Sequence, residues 1–281
     1  MVETYKAVTV ATHYWRPGDD YLRQLVDAIE NRIENRNVVA ISEKAISIAM
    51  GNIVDESVVK PRWKARFLAK YWMRYIWGYF LGSLCHLRKT TIRHLRGYPL
   101  KEGSAHKQLV LEHAGLLQAL MFGSEGGIDG SNLPYSYVSL PLRNASETAH
   151  KIRSYIKSKL GKSVTVMIVD TDKTYSIRGF HFTPRPKPIN GIDSFGGFLA
   201  HVLGRLLKLK RRATPIAVAG LAMHVEKALE IAEIANRVRG FGAGRTVWDM
   251  AKTFDVSITG VTWDMLDAIK HRPIVVVTIH K

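Results

Sequence analysis

Cysteine is all but missing from this chain: 281 residues contain one, Cys85. No disulfide can form within the chain, which excludes a small fold stapled by disulfides. Acidic residues are scarce as well, 24 against 41 Lys and Arg, so the net charge is +17. That imbalance disfavours basic partners and favours nucleic acid, anionic lipid, nucleotide phosphates or a phosphorylated acid, without bearing on fold. Long hydrophobic runs are also lacking. The most apolar stretch, 71–84, carries Arg74 and is shorter than the roughly 20 residues of a spanning helix. No transmembrane segment is expected. Residues 1–10 lack the basic–apolar–small order of a signal peptide, and a cytoplasmic location is expected. There is no internal repeat and no low-complexity linker.

What the chain does have is alternating apolar patterns of two periods. Residues 5–12 alternate and are rich in Val and Thr, as in a strand. Leu22, Leu25, Val26, Ile29 and Ile33 recur at helical spacing within 19–36. Short apolar runs at 37–42, 135–140, 164–170, 215–219 and 273–279 read as strands, and 53–59 as extended chain. Helices are expected over 43–50, 144–160, 194–209, 221–239, 246–254 and 262–269. Asn144 with Glu147 forms a capping-box pattern at the start of one of them. The glycine-rich 123–134 and proline-bearing 171–190 read as loops, and 104–122 has mixed spacing that fixes no type. Strands and helices mix throughout, so the fold class is α/β, or mixed α+β.

Three segments carry chemistry. Gly126-Gly127-Ile128-Asp129-Gly130-Ser131-Asn132-Leu133-Pro134 places a carboxylate in a flexible turn, suited to a hard cation or, equally, to an Asx turn. The strand 164–169 ends in Asp170-Thr171-Asp172, where α/β proteins place ligands. Ser42-Glu43-Lys44 follows the strand at 37–41, and a lysine there either meets a phosphate or is solvated. His106, Glu112, His113 and Glu125 match no standard metal spacing and read as polar groups around a helix and loop. Gly240–Arg245 with Thr246 lacks a phosphate-loop lysine and reads as a turn between helices. His201 and His224 are assigned no role.

Taken in order, these segments resemble the gamma-glutamyl ligases that extend the tail of the deazaflavin coenzyme F420. The resemblance runs over most of 37–235. It includes Ser42, Lys44, Ser47, Ala49, Gly51, Val54 and Asp55, the Gly-Ile-Asp-x-Ser-Asn-x-Pro run at 127–134, Asp170-Thr171, Asp193 with Gly196, and the strand 214–219. The resemblance implies a single ligase-like domain over 1–281, with a basic and aromatic helical insertion at about 60–100, working as an intertwined homodimer. It implies that GTP activates a substrate carboxylate as an acyl phosphate, and that glutamate then attacks through its amine. Mn2+ or Mg2+ would be held by Asp129 and Asp170 with Thr171. Ser42, Lys44, Ser131, Asn132 and Thr171 would shape the nucleotide phosphate site, with Lys44 and Arg178 as catalytic cations. The implied partners are a nucleotide and an acidic small molecule.

The chain also departs from that pattern. Ile48, Met50, Gly130 and Gly220 stand where the family has charged residues, and of its Gly-Arg-Pro-Trp-Arg run only Arg178 has a counterpart. These departures concern the substrate side, so slow or absent ligation of glutamate to the usual acceptor is expected alongside nucleotide binding. Lys173, Arg178, Arg185 or Lys187 are available to replace lost cations. An alternative function is a non-catalytic or RNA-binding relative. The segment 60–96 sets Arg62, Arg66, Lys70 and Arg74 beside Trp63, Phe67, Tyr71 and Tyr75 at four-residue intervals. Packing against the body or a second subunit, a membrane surface and a nucleic-acid surface all remain open for it.

Overall fold

The computed structural model describes residues 3–123 and 125–280. Nine strands, β1 (Thr4–Thr12), β2 (Val38–Ser42), β3 (Ile53–Asp55), β4 (Tyr137–Ser139), β5 (Thr165–Ile177), β6 (Phe180–Thr183), β7 (Asp193–Ser194), β8 (Lys210–Ala219) and β9 (His271–His280), form two sheets among the described residues. The larger runs β1-β9-β2-β5-β6-β7, with β8 also paired to β5; the smaller is β3-β4. Only β2–β5 and β6–β7 are parallel in the large sheet, and its other pairs are antiparallel. The α/β reading therefore holds, in its mixed form.

Side chains of a strand alternate between faces, and here both faces are covered. Val39, Ile41, Val166, Ile168, Ile274 and Val276 face α1 (Tyr21–Ile29) and α8 (Ala145–Leu160). Val38, Ala40, Met167, Val169, Val275 and Val277 face α10 (Val225–Arg239). That two-sided burial is why β2 reads as an unbroken apolar run rather than an alternating one. Each such Ile or Val, fully buried, contributes about 1.5–3 kcal/mol.

The second half of the core is helical. A continuous helix begins as α3 (Trp63–Phe67), runs π-helical over Leu68–Leu81, and ends as α4 (Gly82–Leu84). It packs with α5 (Lys89–Arg96) and α6 (Leu100–His113). The indoles of Trp72 and Trp77 both donate to the Leu120 carbonyl, at 2.8 and 2.7 Å. Half of α6 is buried, polar residues included, which explains why no single apolar stripe marks it in the sequence.

Several expectations need correction. The first helix stops at Ile29 and tightens to a 3-10 turn over Glu30–Arg32, short of residue 36. The 53–59 segment is strand only to Asp55, followed by a 3-10 turn over Glu56–Val58. Asn144 precedes α8 but caps no backbone N–H; its amide donates to Glu147 at 3.1 Å instead. The 171–190 loop is largely strand, because β5 continues to Ile177 and turns back as β6. The helix expected over 194–209 is α9 (Phe198–Leu206), and the basic run after it belongs to β8. There Arg212 is neutralised by Glu226 at 2.7 Å. Among the described residues no helix is long and apolar enough to cross a membrane.

Candidate functional site

Two adjacent parallel strands set the site. β2 and β5 run in register, with Ser42 opposite Val169. Glu43 and Lys44, at the start of α2 (Glu43–Ala49), therefore leave the sheet beside Asp170 and Thr171. A wide bulge sharpens this exit. Asp170 pairs with Thr214 and Lys173 with Ala213, so Thr171 and Asp172 are extra residues without a counterpart on β8. Bulges of this kind re-aim side chains, and they gather near active sites. Pro215, which cannot donate to a ladder, sits in β8 at a second irregularity.

These residues line a cavity of about 1320 Å³, above the roughly 300–1,000 Å³ usual for small-molecule sites. Ser42, Lys44, Asp129, Ser131, Asn132, Asp170 and Thr171 all line it. The Lys44 ammonium bonds the Asp129 carboxylate, the Ser131 hydroxyl at 2.7 Å and the Ser131 carbonyl at 3.1 Å. Asp129 also accepts from the Ser131 N–H at 2.7 Å and its hydroxyl at 3.0 Å. Burial acts to raise the Asp129 pKa, but Lys44 and the Ser131 bonds outweigh it and hold the carboxyl below its usual range. Asn132 is turned elsewhere. Its amide bonds Ala243 N–H at 2.7 Å and the Gly244 carbonyl at 3.0 Å, pinning the 240–246 turn to the cavity wall.

Asp170 has a different partner. Arg185, 4% exposed, donates to Asp170 at 2.5 Å, to Glu43 at 2.6 Å and to the Gly126 carbonyl at 3.0 Å. Burial pushes Glu43 up, to about 7, with Asp170 adding to the effect and Arg185 opposing it. Gly127, at φ +92°, has to be glycine: a Cβ there would lie 2.8 Å from the Arg185 guanidinium carbon. Arg178 is not brought to the site. It occupies the exposed tip of the β5–β6 hairpin, at φ +47°, away from the residues lining the cavity. Lys173 does line it, paired with Glu233 at 3.2 Å.

Sequence reasoning missed a buried ion cluster whose Glu56, His106 and Glu125 also line the cavity. His106 lies 2.6 Å from Glu56 and 3.4 Å from Glu125, while Lys107 bonds Glu125 and the Met121 carbonyl, both at 2.6 Å. Burial alone would lower the His106 pKa, but Glu56 and Glu125 raise it to about 10. The charges of His106 and Lys107 thus balance the two glutamates. Sequence could pick out His106 and Glu125, but not Glu56, fifty residues away. Glu112 and His113 instead bond within their own helix, to Gln108 and Leu109. His201, buried to a pKa of about 4, also lines the cavity, whereas His224 caps α10. Arg239 lines the cavity too; burial lowers its pKa to about 10.

Among the described residues no three His, Cys, Asp or Glu side chains come together to hold a metal ion. Carboxylate and hydroxyl oxygens are nonetheless the donors that Mg2+ and Mn2+ prefer, and Mg2+ commonly takes one or two carboxylates and completes its shell with water and substrate phosphates. Asp129, Asp170 and Thr171 carry such oxygens and line the cavity, with Asp129 paired to Lys44 and Asp170 to Arg185.

The fold and this cavity define a mixed α/β protein with a large pocket lined by both acidic and basic side chains. The sequence profile of F420-0:Gamma-glutamyl ligase matches residues 9–198. An uncharacterized protein of Methanocaldococcus jannaschii is 36% identical over 287 residues, covering 98% of this chain and 96% of the relative. The chain belongs to the F420-0:gamma-glutamyl ligase family, whose members are ligases that form an amide bond.

Proposed function

We propose that this protein is a GTP- and divalent-metal-dependent ligase that joins glutamate, or a similar amine, to a carboxylate of the coenzyme F420 precursor or a related acid. The observation that carries this reading is that Ser42, Lys44, Asp129, Ser131, Asn132, Asp170 and Thr171 all line one cavity. In this reading a substrate carboxylate oxygen attacks the γ-phosphorus of GTP, the β–γ bond breaks, and GDP leaves. The amine nitrogen then attacks the acyl carbon, phosphate departs with the C–O electron pair, and the nitrogen gives up a proton. Asp129 and Asp170, with Thr171, would hold Mn2+ or Mg2+, which would supply positive charge to the phosphates. Lys44 offers a point charge to the transferring phosphoryl group, where negative charge accumulates. Ser42 and Ser131 shape the phosphate pocket, and Asn132 fixes its wall. Arg178 has no part in this reading; Arg185 orients Glu43 and Asp170 instead.

The chain reads as one ligase-like domain with the helical segment 60–100 inserted, acting as a homodimer. The substitutions at the charged family positions bear on the acceptor. Ile48 lines the cavity as an apolar surface, and Gly220 stands at φ +135° with a Cβ position 2.8 Å from the Thr165 Cα, so no side chain fits there. Binding of GTP with Mn2+, and slow ligation of glutamate to the standard deazaflavin acceptor, are expected. Product masses after incubation with GTP, Mn2+, glutamate and that acceptor test the reading. Asp129→Asn and Asp170→Asn should each abolish Mn2+-dependent nucleotide binding while the protein stays folded. Parent-like binding by both variants overturns the site. Turnover of about one per second or faster, in the ordinary enzyme range, overturns the expected slowness.

A further inference from the structure

Between residues 57 and 101 there are eleven Lys and Arg and no Asp or Glu, so this stretch carries +11 of the chain's +17. The structure folds it into the 63–84 helix and α5. The helix buries Ala65, Ala69, Met73 and Trp77 and turns its other side outward. That outer side is aromatic: Trp63 (71% exposed), Phe67, Tyr71, Tyr75, Tyr79 and Phe80 (68% exposed). Arg62, Lys64, Arg66 and Lys70 are exposed beside it. α5 adds exposed Arg88, Lys89 and Arg93, and is tied to the helix by Arg96, which donates to the Gly78 carbonyl at 2.8 Å.

We propose that this face seats the protein peripherally on an anionic lipid bilayer. Aromatic side chains flanked by exposed cations are the composition of interfacial helices, whose rings enter the headgroup boundary while the cations meet lipid phosphates. Two other occupants fit less well. A second copy joined through this face would bring two strongly basic surfaces together. Nucleic-acid bases stack on free ring faces, but the tyrosine faces here are engaged: Tyr71, Tyr75 and Tyr79 stack in series with centroids 6.2 Å apart, Lys70 covers Tyr71 at 5.1 Å, and Arg96 covers Tyr79 at 4.4 Å. The Tyr hydroxyls suit a boundary that is wet on one side.

Sedimentation with vesicles tests the proposal. The full chain should pellet with vesicles of equal phosphatidylcholine and phosphatidylglycerol, and stay in solution with phosphatidylcholine alone. The bound fraction should fall as salt rises, because the Debye length shortens. The triple variant Trp63→Ser/Phe67→Ser/Tyr71→Ser changes exposed residues only, so its thermal midpoint should match the parent. Its vesicle affinity should drop by roughly tenfold or more. Failure of the parent to pellet with anionic vesicles overturns the proposal, as does undiminished binding by a folded triple variant. It is equally overturned if light scattering shows a dimer that the triple variant breaks, or if a short single-stranded RNA binds through these residues while vesicles do not.

Discussion

Replacing Arg185 by Met tests how the two acidic groups of the cavity are held. The guanidinium bonds Asp170, Glu43 and the Gly126 carbonyl and is 4% exposed. Methionine fills much of its volume but leaves two carboxylates without their cation. Removing one partner from a buried pair costs about 3–5 kcal/mol. Glu43 has a pKa raised to about 7 by burial, with Arg185 opposing. Without Arg185 that opposition is gone, so the variant holds its proton to higher pH than the parent, and the loss grows as pH rises through about 7. The lost bond to Gly126 adds about 1 kcal/mol that does not vary with pH. Urea unfolding of parent and Arg185→Met should therefore give a loss of about 3–5 kcal/mol at pH 7.5 and a smaller one at pH 5.5. A loss below about 1 kcal/mol at pH 7.5, or one that is larger at pH 5.5, refutes the account.

Other outcomes follow from the same reasoning. Lys107→Met should cost about 3–5 kcal/mol, since among the described residues it leaves buried Glu125 with only His106 at 3.4 Å as a cationic partner, and the double variant Lys107→Met/Glu125→Gln should recover most of that loss in the same unfolding assay. Gly242→Ala should lower stability by about 1–3 kcal/mol, because φ is +60° and the new Cβ would stand 2.5 Å from the Asn132 amide oxygen; a calorimetric scan reads it as a drop of about 2–4 °C per kcal/mol. Burial lowers His201 and His271 to about 4, so the unfolded chain binds more protons there, and stability should fall as pH drops from about 6.5 to about 4, by about 3 kcal/mol for each residue. His106 acts in the opposite sense. Its raised value, about 10, gives stability that is full below about 6.5 and is lost as pH rises through about 10. Thermal midpoints across that range should peak between the two limbs, and His106→Gln should flatten the alkaline one.

Much of the architecture could be read from period alone. β1, β2 and β9 fell where alternating or unbroken apolar runs predict strands, and Gly161, at φ +66°, ends α8 as expected of a left-handed cap. The polar residues after β2 and at the end of the apolar run within β5 stood out because a buried run ending in polar residues has few other readings. What the sequence hid was set by tertiary contact. β5 continues past Asp170 only because β8 and then β6 pair with it across the bulge, and nothing local in Lys173–Ile177 reports those partners. Arg178 looked like the retained family cation by position. Seven residues on, Arg185 reaches Asp170 and Glu43, which line the cavity, because the hairpin carries the chain out and back. The Glu56–His106–Glu125–Lys107 cluster joins residues whose spacing has no periodic meaning, and half-buried polar positions in α6 mask it further.

The Lys44–Asp129 contact has a thermodynamic consequence. Each group is the other's counter-ion, so neither is available to a ligand without a substitution. A cation that takes Asp129 releases an ammonium into the pocket, and an anion that takes Lys44 releases a carboxylate. Each ligand removes the competitor of the other. Linkage makes the effect mutual: whatever factor the cation adds to the affinity for phosphate, phosphate adds to the affinity for the cation. A pair of this kind takes up opposite charges as a set more readily than either one alone.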